Sequence, residues 1–162
     1  MSLTSSGHRV LNAAVGGASV LDVGAQLDGA PPAEVALVCV GTNDAAPWKT
    51  VAIETFRAAL LELLPRVPAA RVVYVGSPGV DEHRLTGMND RTNARIREYV
   101  DVAAETVRRH GGEFLDTAAL LAEAPEDVFE NDGVHLNKAG YDLLLPALAA
   151  HAGASSTAEK RP

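Results

Sequence analysis

The chain has 162 residues, 47% of them apolar and 22% charged, with a formal net charge of −7 and a single cysteine. That length suits one domain with a sizeable core, and the acidic balance, with no Lys/Arg stripe, argues against a nucleic-acid partner. Cys39 alone cannot form an internal disulfide, and no run of about 18 apolar residues suggests a membrane span.

In chain order, the first ten residues lack the apolar centre of a signal peptide, which predicts a cytoplasmic protein. The stretch from Val10 to Ala18 then runs into Gly16 and Gly17. Gly17 could bring its backbone N–H close to a ligand, or the two glycines could serve only a tight turn. Residues 35–40 are a continuous apolar run, the pattern of a strand covered on both faces, with Cys39 as a small buried residue. Gly41, Thr42, Asn43 and Asp44 follow at once. Asn43 there could donate its amide to a developing oxyanion, or the four residues could form a turn.

A helix is predicted over 48–64, with Ile53, Phe56, Leu60, Leu63 and Leu64 on one stripe and Pro65 and Pro68 ending it. Trp48 could line a groove near the strand ends or pack on that helix. A second strand is predicted over 71–76, and Ser77, between Gly76 and Pro78, reads as a turn residue at its end. Residues 81–84 form a charged patch, a solvated loop or the rim of a site. A helix over 89–109 carries Ile96, Tyr99, Val100, Ala103 and Val107 on its stripe, and Gly111 and Gly112 close it. A short strand over 113–116 follows, with Asp116 placed to cap the next helix.

Asp132, Gly133, Val134 and His135 come next. An Asp three residues before a His, with a glycine between, can fold back onto the imidazole Nδ1–H and leave Nε2 as a general base. The alternative is a surface loop in which the two never meet. No Cys/His or carboxylate spacing suggests a metal. Asn137 should cap a last helix over 138–151, and 153–162 is small, polar and predicted to be disordered, leaving 1–152 as the domain. His8, His83, His110 and His151 read as solvated residues near turns or helix ends. Strand and helix alternate strictly, which predicts an α/β fold with a parallel sheet, helices on both faces and ligands at the carboxyl ends of the strands. No glycine-rich phosphate loop follows any strand, so a flavodoxin-like nucleotide binder is not the expected reading.

Taken in order, the Val10 to Ala18 block, the Gly-Thr-Asn-Asp block and the Asp-Gly-Val-His-Leu-Asn block resemble those of the SGNH (GDSL-like) hydrolase family, over roughly residues 10–150. The resemblance implies a three-layer flavodoxin-like sandwich with a five-stranded parallel sheet. It implies a Ser-His-Asp triad in which Asp132 is the acid and His135 the base. Asn43 and Gly17 would be the oxyanion donors, with no cofactor or metal and a small-molecule ester as substrate. One block departs from the pattern. The family's first block is a strand ending in Gly-Asp-Ser, and no Gly-Asp-Ser occurs in this chain. Ser2, in Ser2-Leu3-Thr4, resembles the end of such a block. It lies only ten residues before Asn12, and a parallel crossover needs a dozen or more. The expectation is therefore the SGNH fold without its first strand. The corresponding function is a serine esterase for small acyl esters whose activity in this form is open. The alternatives are a non-catalytic binding domain of the same fold and an acyltransferase with the same triad. Oligomeric state is not readable from the sequence.

Overall fold

The structure is a computed structural model that describes residues 9–49, 51–87, 90–124 and 127–153. Three strands form one parallel sheet in the order β1-β2-β3: β1 (Ala33–Val38), β2 (Ala69–Val75) and β3 (Glu113–Leu115). In β2 the run of Val72, Val73, Tyr74 and Val75 supplies the β-branched and aromatic side chains that fit a pleated, covered surface. The register pairs Ala33 with Ala69 and Val38 with Tyr74 on one side, and Val73 with Glu113 and Val75 with Leu115 on the other.

Each crossover carries a helix. Between β1 and β2 lies α2 (Ile53–Leu63), preceded in the chain by the short α1 (Val20–Gln26). The buried residues of α2 are Phe56, Leu60 and Leu63, spaced to fall on one stripe. Pro65 cannot continue the ladder, and the chain tightens into a 3₁₀ turn at Leu64–Arg66. Between β2 and β3 lies α3 (Asn93–Arg109), whose N-cap Thr92 accepts at Oγ1 from Arg95 N at 3.1 Å. After β3 come α4 (Thr117–Ala122) and α5 (Lys138–Gly153). Asp116 Oδ1 accepts from Ala119 N at 3.1 Å, and Asn137 Oδ1 accepts from Gly140 N at 3.1 Å, so both predicted caps are in place.

Two apolar clusters hold the layers together. The larger joins Val20 of α1, Phe56 and Leu60 of α2, Tyr74 of β2, and Ile96, Tyr99, Ala103 and Val107 of α3. Phe56 meets Tyr99 edge-on at 5.1 Å between ring centres. Val73 and Val75 point the other way from Tyr74 and are also buried, so both faces of β2 are covered. The smaller cluster joins Leu115, Leu121, Val128, Leu136 and Leu144, which ties α4 and α5 together beyond β3.

Several expectations need correction. Two predicted helices begin too early: α2 starts at Ile53 and α3 at Asn93, so Trp48 lies in a turn and is 60% exposed. β1 and β2 start and end slightly earlier than predicted, and β3 ends one residue earlier. β1 is an edge strand, half-exposed along most of its length rather than covered on both faces. Cys39 falls just past its end and is exposed, not a buried core residue. Helix α1 has no counterpart in the sequence reading. Its signal is the Ser19-to-Asp22 spacing, where Asp22 Oδ2 accepts from Ser19 N at 2.7 Å and from Ser19 Oγ at 2.8 Å. The histidines are also not uniformly solvated, since His151 Nδ1 lies 3.2 Å from Glu113 Oε2. All of the predicted tail except Gly153, together with His8 and Ser2, lies outside the described residues.

Candidate active site

The carboxyl end of β1 leads through Val40 into Gly41, where φ is +115°, a value that favours glycine. A Cβ at Gly41 would sit 3.4 Å from both Tyr74 Oη and Tyr99 Cβ, so the turn has little room for a side chain. The turn is pinned by Asp44, which is 2% exposed. Its Oδ2 accepts from Gly41 N at 2.9 Å and its Oδ1 from Val20 N at 2.8 Å. Burial pushes the Asp44 carboxyl above its ordinary range, against the lowering effect of those two N–H donors.

Asn43 projects from this pinned turn. One N–H of its amide donates to Ala18 O at 2.9 Å, and its Oδ1 accepts from Arg91 Nη1 at 3.3 Å. An amide has two N–H donors, so one is left for a ligand. The bond to Ala18 also brings Asn43 beside Gly17, whose φ is +75° and whose surroundings are open, with nothing within 4 Å of a Cβ placed there. Gly17 and Asn43 are thus linked through Ala18. Arg91 is 8% exposed, pairs with Asp90 Oδ1 at 3.1 Å, and lies 4.9 Å over the exposed Trp48 ring. A cleft of about 410 Å³ opens here, lined by Asp44, Ala46, Pro47, Arg91 and Arg95 among others.

Asp132 and His135 meet as the spacing predicted. His135 Nδ1 lies 2.6 Å from Asp132 Oδ2, and Asp132 Oδ1 accepts from Val134 N at 2.8 Å and His135 N at 3.0 Å. The His135 contact first, and then the two backbone donors, hold the Asp132 carboxyl well below the usual carboxylate range. His135 is 77% exposed as a side chain, and among the described residues nothing bonds its Nε2. An imidazole whose Nδ1 faces a carboxylate presents Nε2 as the proton acceptor.

The two halves share one support, the segment after β2. Thr42 Oγ1 donates to Ser77 Oγ at 2.7 Å next to Asn43, and Asp81 N donates to Gly133 O at 2.8 Å next to Asp132. Ser77 is 2% exposed and accepts also from Gly79 N at 3.2 Å. Sequence reasoning missed two residues around the site, Asp44 and Arg91, and noted Arg84 only within the charged patch 81–84. Asp44 sits in a motif and could have been singled out. Arg91 carries no signal, because the chain gives no hint which charges the crossovers bring to the strand ends. Among the described residues, no group of three His, Cys, Asp or Glu side chains is arranged to hold a metal.

A parallel sheet with helices in its crossovers defines the class, an α/β fold whose connections carry an exposed His–carboxylate pair and an amide donor. The comparisons with known proteins narrow it. The sequence profile of the GDSL-like lipase/acylhydrolase family matches residues 2–143, and the chain belongs to that family. Its structure is similar to a lipase/acylhydrolase from Enterococcus faecalis, with 24% identity, a TM-score of 0.71, and coverage of 83% of this chain and 70% of that one. It is similar to an alpha/beta hydrolase enzyme from the metagenome of Lake Arreo, Spain, at 22% identity, TM-score 0.65, covering 85% and 69%. An acetylxylan esterase from Geobacillus stearothermophilus matches at 18% identity, TM-score 0.62, covering 86% and 69%. At these identities the likenesses speak for the fold. No curated protein matches the chain in sequence. Among the described residues no helix is long and apolar enough to cross a membrane.

Proposed function

We propose that this protein is a serine esterase that hydrolyses small acyl esters, with His135 as general base, Asp132 orienting it, and Asn43 and the Gly17 N–H as oxyanion donors. The observation that carries the reading is the 2.6 Å contact between His135 Nδ1 and Asp132 Oδ2, with Nε2 left open to solvent. In the reaction, a serine Oγ forms a bond to the ester carbonyl carbon while His135 Nε2 takes the hydroxyl proton. The carbonyl oxygen becomes an oxyanion, received by the free N–H of Asn43 and the N–H of Gly17. Collapse breaks the bond to the alcohol, which leaves with the proton from His135. Water, deprotonated by the same Nε2, then bonds to the acyl carbon, and the acyl–Oγ bond breaks as the serine takes the proton back from His135 and the acid leaves.

The substrate class is a small acyl group, such as an O-acetyl on a sugar. The exposed Trp48, which lies against Arg91 of the cleft, supports it, since an aromatic face beside polar groups suits a sugar ring. The acetylxylan esterase likeness is consistent with this class. Ser2, the serine that resembles the family nucleophile, lies outside the described residues, and the attacking serine is left to experiment. A serine-directed fluorophosphonate should label this chain at that serine, and His135→Ala should abolish the labelling. Labelling that persists without His135 contradicts the assignment.

A second reading, a non-catalytic binding domain of the same fold, draws on the described serines. Ser19 Oγ donates to Asp22, and Ser77 is buried against Thr42 and Gly79, so both hydroxyls are already bonded within other segments. That reading predicts no labelling at all. An acyltransferase would label equally but transfer its acyl group to an added alcohol faster than to water.

A further inference from the structure

The pair Asp132 and His135 sits on an exposed turn, and something outside that turn must hold it at one geometry. We infer that Arg84 is a positioning residue for His135, clamping the 129–135 loop from the β2–α3 connection. This rests on the reading of Asp132 and His135 as a working pair. Arg84 Nη1 donates to Phe129 O at 3.1 Å and to Glu130 O at 3.3 Å, the two carbonyls at the loop's entrance. Its Nη2 pairs with Asp127 Oδ2, and its Nε lies 3.0 Å from Asp81 Oδ2. Asp81 N in turn donates to Gly133 O at 2.8 Å, and Arg84 N donates to Asp81 O at 3.0 Å.

The same residues fix the inside of the loop. Glu130 N donates to His135 O at 2.7 Å and Gly133 N to Glu130 O at 3.0 Å, so the two carbonyls that Arg84 approaches belong to the turn that carries His135. Gly133 has φ +71°, and a Cβ there would lie 2.6 Å from Asp81 O and 2.9 Å from Arg84 Cβ. The loop therefore packs directly on 81–84 with no space between. A guanidinium can serve two carbonyls and two carboxylates at once because its five N–H donors are held in a planar fork; an ammonium cannot. Releasing that fork frees the entrance carbonyls and the hinge about Gly133, and the imidazole can then turn away from Asp132.

The test reads His135 itself and needs no turnover. In the full 162-residue chain, labelled with ¹⁵N, the imidazole nitrogen shifts at alkaline pH report which ring nitrogen carries the proton. The His135 signal is assigned by its loss in His135→Gln. The wild type should hold the Nδ1–H form. Arg84→Met should shift His135 toward Nε2–H while the melting temperature and the other histidine signals stay close to wild type. Arg84→Lys should fall between. Asp127→Asn removes one arm of the clamp, should move the tautomer part way, and carries the test if Arg84→Met does not fold. An unchanged His135 tautomer in the folded variants overturns the inference and leaves the Asp132–His135 pair standing. A wild type lacking the Nδ1–H form overturns both. On p-nitrophenyl acetate, Arg84→Met should lower kcat about 10- to 100-fold, the loss expected of a misplaced catalytic group, with KM little changed. Arg84→Lys should restore part of it.

Discussion

Both oxygens of Asp132 are engaged by the turn that follows it, and Asp44 uses both of its own to pin another turn, yet burial gives the two carboxylates opposite behaviour. Asp132 is exposed and held in its charged form by His135 and two N–H donors, so its folded value lies below the ordinary 3.8. Its contribution to stability is present above that value and is lost as pH falls through the lowered one. Asp44 is buried and its value is raised. Its contribution is present below 3.8 and is lost as pH rises through the raised value. Asp44→Asn removes the charge but leaves one of the donors Val20 N and Gly41 N without its acceptor. The expected cost is about 1–3 kcal/mol, with a flatter dependence on acid pH; urea unfolding at two pH values reads both. The Asp132–His135 contact is legible in the sequence because an Asx-type turn needs only three residues and a glycine. Asp44's burial is not, since it depends on α1 and on the packing of Tyr74 and Tyr99, which come from elsewhere in the chain.

At the scale of elements, the site is a property of connections rather than of strands. The β1–α2 turn presents Asn43, the segment before α1 presents Gly17, and the loop before α5 presents Asp132 and His135. The β2–α3 connection touches both sides through Ser77 and Asp81. Gly133→Ala should therefore hurt twice. It forces a side chain into a left-handed conformation, costing about 1–2 kcal/mol, and drives a Cβ against the backbone oxygen of Asp81. The melting temperature should fall, and turnover should fall with it; a variant with both unchanged would contradict the close packing of the loop. The strands and the three longer helices are legible because their apolar spacing is regular. The starts of α2 and α3 are not, because Trp48 continues the apolar character of α2 without belonging to it, and α3 is set by the Thr92 cap. The exposure of Cys39 is not legible either, since an apolar run reads the same whether or not a neighbour covers it.

For the molecule as a whole, three parallel strands and their crossovers carry the candidate residues on connections that both bond to the segment after β2. At the opposite end of β3, Arg71, Glu113 and His151 tie the end of α5 to the start of that strand, with Arg71 Nε 2.9 Å from Glu113 Oε1. The layers are held far from the chemistry, which leaves the loops free to carry it. The central claim is that His135 and Asn43 work together on one ester. Its most direct measurement is the rate of p-nitrophenyl acetate hydrolysis by this chain, by His135→Ala and by Asn43→Ala. The account predicts hydrolysis above the buffer rate, its loss in His135→Ala, and a fall of about 100- to 1,000-fold in kcat for Asn43→Ala, the usual cost of one oxyanion donor. Hydrolysis that survives His135→Ala, or none by the parent chain, would contradict it.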